Sequence, residues 1–443
     1  MDFSRIIIEL LGIQDVEIED IKQFRKDLRI EIKVRQKRSE CFCAQCGLEF
    51  KSVKDWNLKE LKAPPLGIYQ QVKIKFWQLR GVCQDCNRTS ISKVDWIHPK
   101  FESMTCGFAE VCGRLMEEIT CEAVSRIMYS SSKLMWDLDQ YRMEVMMKSL
   151  TLPKHLQVSY LCADEVHFQT IWIKNRKGLF AKRRQAEFIT NLVAPLEGKV
   201  LFNAQGRGES SLNQAFAVLS PGQRLAVEQV AVDMHDPFMC AIRSNCPNAL
   251  IVIDRFHLAQ KINQTFDKLR RAEFRKAEQN NKYFEMGILE PKRRFILVSR
   301  KKQFLSKVET RLIDDLRRVN KNIHVGMLLV EYFHEALDKK TIKGFRESLL
   351  EWYRLCRAAK LPQFLEFSRL IRKYRRNIEG YINSRLTTAV IEGLNNKIKV
   401  LKRMGYGYTN PTSFMRKILQ RCGYLNHLSI NTDDFYFKWP HPA

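Results

Sequence analysis

The sequence predicts a multidomain protein, α/β plus α, and three features carry that prediction. Two short β-branched runs, at 226–232 and 249–253, are separated by a helix-sized segment from Pro237 to Asn245. Near-continuous apolar runs of this kind suit strands buried on both faces, so they read as strand, crossover helix and parallel strand. An N-terminal stretch of strand-like runs carries two Cys-x-x-Cys pairs, and residues 256–380 change to an almost wholly helical, basic pattern.

The 443 residues leave room for roughly two to four domains with their own cores. Hydrophobic content of 45% places the chain among globular proteins. It contains no apolar run long enough to cross a membrane, and its first ten residues lack the basic region of a secretion signal, so the expectation is a cytoplasmic protein with no membrane partner. Lys and Arg number 75 against 49 Asp and Glu, a net charge of +26. That excess points to a polyanionic partner, most simply double-stranded DNA; a basic but inert surface is the alternative. Thirteen cysteines, nine of them outside any pair motif, argue against a secreted disulfide framework.

In chain order, 28–34 alternates as a strand and runs into Cys43-Ala-Gln-Cys46; a second pair, Cys83-Gln-Asp-Cys86, follows the alternating run 68–79. Four thiolates on two turns suit a tetrahedral structural Zn²⁺, with free or redox thiols as the alternative. The 36 residues between the pairs exceed the usual spacing, and Cys41 is a spare that could replace Cys43. From Thr105 to Leu150 the period becomes helical in three segments split by short polar turns. That outline fits a helix-turn-helix, and equally a three-helix packing with no DNA role.

The run 158–163 reads as a strand ending on Asp164 and Glu165, followed by a basic segment at 174–184, strands at 187–193 and 199–204, and a helix at 209–219. The succession predicts a mixed sheet with helices against it. Asp233 and Asp254 follow the strands at 226–232 and 249–253, on the edge where α/β sheets bind ligands. The basic runs 268–271, 291–294 and 372–376 are interleaved with Trp352, Tyr353, Phe364, Phe367 and Tyr374, which offers phosphate contacts or simply a charged helical face. Near the C-terminus, Leu386, Val390, Leu394 and Ile398 recur every four residues as an apolar helix face, leaving Glu392, Asn395, Asn396 and Lys399 on a polar one.

Asp164, Asp233 and Glu392 are the simplest means of holding two Mg²⁺ ions for an in-line displacement at phosphorus. The motifs Ala163-Asp164-Glu165, Val232-Asp233-Met234 with Pro237-Phe238, Asp254-Arg255-Phe256-His257, and Glu392-Gly-Leu-Asn-Asn-Lys-Ile-Lys399 with Lys402-Arg403 and Gly405-Tyr406-Gly407 closely resemble those of DDE transposases of the ISL-three insertion-sequence family. The resemblance spans nearly the whole chain, although Thr388 stands where that family usually carries Asn. It implies a zinc ribbon at 1–100, a helix-turn-helix at 101–152, an RNase H-like catalytic core beginning at 153–265, an all-helical insertion at 266–380, and a final core segment with Glu392 and the tail at 381–443. It further implies that Asp164, Asp233 and Glu392 bind two Mg²⁺ ions, with Mn²⁺ as a substitute in vitro, and that Asp254 and His257 form an Asp-x-x-His pair beside them. The partners implied are element ends and target DNA, with a homodimer or larger assembly at synapsis. A non-catalytic DNA-binding protein built from the same N-terminal modules is the competing expectation.

Overall fold

The computed structural model describes residues 3–37, 41–153, 156–174, 182–290, 306–384, 389–405 and 407–426. The centre of the 174–184 basic segment, the run 291–294, Leu386, Thr388 and Tyr406 lie outside these residues. The chain divides into two compact units, Met1–Lys154 with Lys399–Ala443, and His155–Ile398. The two units part at residue 398, inside a helix.

The first unit opens with α1 (Phe3–Leu11), β1 (Val16–Phe24), β2 (Arg29–Gln36), β3 (Phe50–Ala63), β4 (Gln71–Cys83) and β5 (Thr89–Ile91). The sheet order is β1-β2-β4-β3, with β5 paired to β4, and β2 runs parallel to β4. Strands β1 and β3 were not evident in the sequence, because their polar residues outnumber their apolar ones: β3 buries only Leu61 and Ala63. In β2 and β4 the alternation is clean, and Ile30, Ile32, Val34, Val72, Ile74 and Phe76 bury one face against Ile7 and Leu11 of α1. Full burial of each such side chain contributes about 1.5–3 kcal/mol.

Next come α2 (Cys106–Glu118), α3 (Cys121–Ile127) and α4 (Ser132–Lys148), capped by Thr105, Thr120 and Ser131, whose hydroxyls accept the N–H of Phe108, Ala123 and Leu134. Arg142 of α4 is fully buried and paired with Glu117; it lies so close to Gly113 that a Cβ there would meet its Cδ at 2.6 Å.

The second unit holds β6 (Tyr160–Lys174), β7 (Lys182–Ala194), β8 (Lys199–Gln205), α5 (Glu209–Phe216), α6 (Pro221–Leu225), β9 (Gln229–Val232), α7 (Asp236–Asn245) and β10 (Leu250–Ile253). The sheet order is β10-β9-β6-β7-β8; β6, β7 and β8 are antiparallel neighbours, while β9 and β10 run parallel to β6. The parallel pair at 229–253 and its crossover helix are present as the sequence predicts. Two details differ. Strand β6 does not end at Asp164 but continues to Lys174, because the antiparallel partner β7 pairs with it as far as Lys182. The predicted helix at 209–219 stops at Phe216, and Ser220 with Pro221 starts a separate short helix through a capping box.

The helical region comprises α8 (Arg255–Gln279), α9 (Tyr283–Leu289), α10 (Lys307–Val319), α11 (Lys321–Asp338), α12 (Ile342–Ala359), α13 (Pro362–Lys373) and α14 (Arg375–Ser384). The aromatic residues interleaved with its basic runs are core: Trp352, Tyr353, Phe364, Phe367 and Tyr374 are all buried, and the Trp352 indole N–H donates to the Leu329 carbonyl at 2.8 Å. The last helices among the described residues are α15 (Ala389–Met404) and α16 (Pro411–Cys422). On α15 the buried stripe is Ile391, Leu394, Ile398 and Leu401, and Val390 is 40% exposed. The expected every-fourth-residue face is therefore rotated, since a helix of about 3.6 residues per turn drifts off a strict i+4 row.

In the first unit α16 packs beside α4 and α2. The Lys417 ammonium donates to the Met116 carbonyl at 2.8 Å, to Asp139 at 2.9 Å and to Gln420 at 2.7 Å, so all its protons are placed although it is buried.

Candidate active site and cysteine cluster

Strand geometry places the first acids. Asp164 and Glu165 are successive residues of β6 and therefore leave the sheet on opposite faces. Asp164 takes the Glu165 N–H on Oδ1 at 2.8 Å and the Asn395 side-chain amide on Oδ2 at 2.6 Å. Burial pushes its carboxyl up, and the charge of nearby Asp233 adds to that, while His257 and the two donors oppose it. Across the ladder from Asp164, Asn191 of β7 is 1% exposed, and both polar atoms of its amide lack a partner among the described residues.

Asp233 follows the last residue of β9, the neighbour of β6, and so stands at the carboxyl edge of the parallel strands. Its Oδ1 takes the Met234 N–H at 2.6 Å and lies 3.8 Å from His257 Nδ1. His257 is in the first turn of α8, which begins directly after Asp254; that aspartate is buried at the N-terminal end of the helix. Glu392 is exposed, one turn before Asn395 on α15, so the helix that carries it is tied to Asp164. Asp164, Asp233 and His257 are thus brought together, and from α15 it is Asn395, not Glu392, that touches Asp164. The three acids do not close into a tight cage: among the described residues, only Cys43, Cys46, Cys83 and Cys86 hold three or more ligand atoms all within 4.8 Å of one another.

Sequence reasoning missed Arg207, in the loop between β8 and α5. Its guanidinium pairs with Glu165 at 2.9 Å and lies 4.9 Å from the Phe188 ring centroid. Burial pushes the Glu165 carboxyl up, against the opposing charge of Arg207. The signal was a lone Arg between Gly206 and Gly208 at a strand-to-helix turn. Asp236, at the start of α7, is held by Lys373 and by the Tyr374 hydroxyl at 2.7 Å, and those hydrogen bonds, Lys373 first, keep its carboxyl below the usual range.

The cysteine cluster forms at the base of the β3–β4 hairpin. Each pair sits in a tight turn that ends in a left-handed residue, Gly47 at φ 74° and Asn87 at φ 46°. Phe50 pairs with Cys83 across the ladder, so hairpin arms of 14 and 13 residues account for the long spacing between the pairs. Cys46 and Cys83 Sγ atoms are 3.3 Å apart, and none of the four is in a disulfide. Burial pushes the Cys43 thiol up, but the N–H groups of Cys46 and Gln45 outweigh it and bring it down to about 6. Four sulfurs with no open side suit a structural Zn²⁺. Cys41 stays outside the set, its thiol directed to the Lys37 carbonyl at 3.2 Å.

The ISL-three (ISL3) DDE family, described as "Transposase", matches residues 179–418. The transposase for insertion sequence element IS1001 of Bordetella parapertussis is 24% identical over 85% of this chain and 87% of its own length. The transposase for IS1557 of Mycobacterium tuberculosis is 20% identical over 53% of this chain and 56% of its own. Among solved structures, the Drosophila P element transposase strand transfer complex aligns at 9% identity and a TM-score of 0.35, over 72% of this chain and 92% of that one. With more than half of its length matched by the family, this chain belongs to the ISL-three DDE transposases of insertion sequences.

Proposed function

We propose that the chain binds the terminal inverted repeats of its element and catalyses Mg²⁺-dependent cleavage and strand transfer of DNA. The observation that carries this reading is the meeting of Asp164, Asp233 and His257 at the carboxyl edge of adjacent parallel strands, with the Glu392 helix pinned to Asp164 by Asn395. The strand order, three antiparallel strands followed by two parallel to the first, supports an RNase H-like core.

The residues fit a hard divalent ion. Asp164 and Asp233 offer carboxylate oxygens, and the orphaned Asn191 amide marks a polar spot beside Asp164 that the described side chains leave unmatched. Bound there, Mg²⁺ would supply Lewis-acid activation of a water or 3′-hydroxyl and neutralise charge at phosphorus. Asn395 fixes the orientation of the Asp164 carboxylate. Its place one turn beyond Glu392 brings that acid to the same helix face as the pin. His257 lies beside Asp233, its Nδ1 3.8 Å from Oδ1. Arg207 pairs with Glu165, which also feels the charges of Asp233 and His257, while Asn395 orients Asp164.

The zinc ribbon at 1–100 and the helix-turn-helix at 101–152 would provide end recognition. Pairing of two ends calls for a dimer or larger assembly.

Incubating the purified full chain with end-containing duplex and Mg²⁺ tests the reading. Nicked ends and joined products are expected from the wild type, and none from Asp164→Asn. Specific end binding with no nicking or joining would replace this reading with a non-catalytic DNA-binding protein.

A further inference from the structure

We propose that Arg369, Arg372 and Arg376 form a cationic ridge that carries the backbone of duplex DNA to the Asp164–Asp233 edge; this deepens the transposase reading by naming a surface that its DNA would touch. Residues 369–376 hold five cations and no acid, and all five are exposed. The basic run at 268–271, by contrast, is neutralised. Arg270 and Arg271 both pair with Asp267, and Lys268 lies 3.8 Å from Glu366. In the ridge, Lys373 pairs with Asp236 and Arg375 with Glu379. Among the described residues, no carboxylate lies within 4.0 Å of Arg369, Arg372 or Arg376.

The ridge is also fixed in place relative to the acids. Lys373 and the Tyr374 hydroxyl hold Asp236, three residues after Asp233. Asn377 donates to the Ile251 carbonyl at 3.0 Å, and a Cβ on Gly380 would meet Leu250 at 3.2 Å and Val252 at 3.3 Å, so α14 lies directly on β10. The Arg372 guanidinium lies over the Tyr353 ring at 5.2 Å, which orders it before any ligand arrives. Glu379 feels the charge of Arg376 but is already paired with Arg346 and Arg375. The excess of like charges on one surface repels, and a row of phosphates relieves that repulsion while releasing counterions.

The test is anisotropy of a labelled non-specific duplex against the full-length chain over a range of salt. The variant Arg369→Ala/Arg372→Ala/Arg376→Ala is compared with Lys307→Ala/Arg311→Ala/Arg318→Ala, which removes the same charge from exposed positions of α10, where Glu309, Asp314 and Asp315 are interleaved. Circular dichroism confirms that both remain folded. For the ridge variant the log–log salt slope becomes shallower by about 0.9 for each phosphate no longer neutralised, about 2–3 in all, and affinity falls tenfold or more. The control shifts the slope by less than about 1. An unchanged slope in the ridge variant, or an equal weakening in the control, overturns the ridge alone. A wild-type chain that binds no duplex overturns the DNA-binding reading together with it.

Discussion

Asp164 concentrates the conflict between stability and function at this site. Burial raises its carboxyl, so the folded chain holds the proton to a higher pH than the unfolded chain does. Without a divalent ion, stability from this group is full below the unfolded value and is lost as pH rises through the folded one. Asp164→Asn removes that loss. In metal-free thermal melts it is expected to gain a few degrees over wild type at about pH 8 and little at about pH 4, while strand cleavage disappears. Asn395→Ala should leave the fold intact but release one oxygen of Asp164 and the register of the Glu392 helix. A hydrogen bond to a charged group is worth about 1.5–3 kcal/mol, so divalent-ion affinity read by titration calorimetry should fall about tenfold or more. Asp164 and Asp233 were legible because each follows a short apolar run, although β6 itself continues past Asp164. Asn191 and Arg207 were not, since their places depend on ladder register and on a loop crossing a strand end.

At the level of elements, the cysteine turns and the C-terminal helix are the two fastenings of the first unit. One Zn²⁺ per chain is expected by elemental analysis, and a chelator or Cys83→Ser should lower the melting of the β3–β4 hairpin without affecting the Asp164 site. Retained melting with no bound metal would refute the zinc assignment. Lys417→Ala leaves Asp139 buried opposite an empty space, and breaking a buried pair from one side costs about 3–5 kcal/mol. The denaturation midpoint in urea should drop accordingly, and Lys417→Ala/Asp139→Leu should recover much of it. The pairs of cysteines were plain in the sequence. The joining of α16 to α4 and α2 was not, because Asp139 and Lys417 are 278 residues apart and each alone reads as a surface charge.

For the whole molecule, a net charge of +26 predicts steep salt dependence of DNA binding. Chemistry and binding should separate: Asp164→Asn is expected to bind end-containing duplex with the wild-type salt slope, as measured by anisotropy, because the ridge and the N-terminal modules keep their cations. No helix among the described residues is long and apolar enough to cross a membrane. The sequence by itself determined the strand–helix–strand unit at 229–253, the helical region and the cysteine set, since local periodicity and residue spacing suffice for each. Tertiary structure alone decided which acids meet, that Asn395 is the pin, that the interleaved aromatics are core and that Arg369, Arg372 and Arg376 make no ion pair among the described residues. Pairing across hundreds of residues depends on register and packing, and neither is written in any local stretch of the chain.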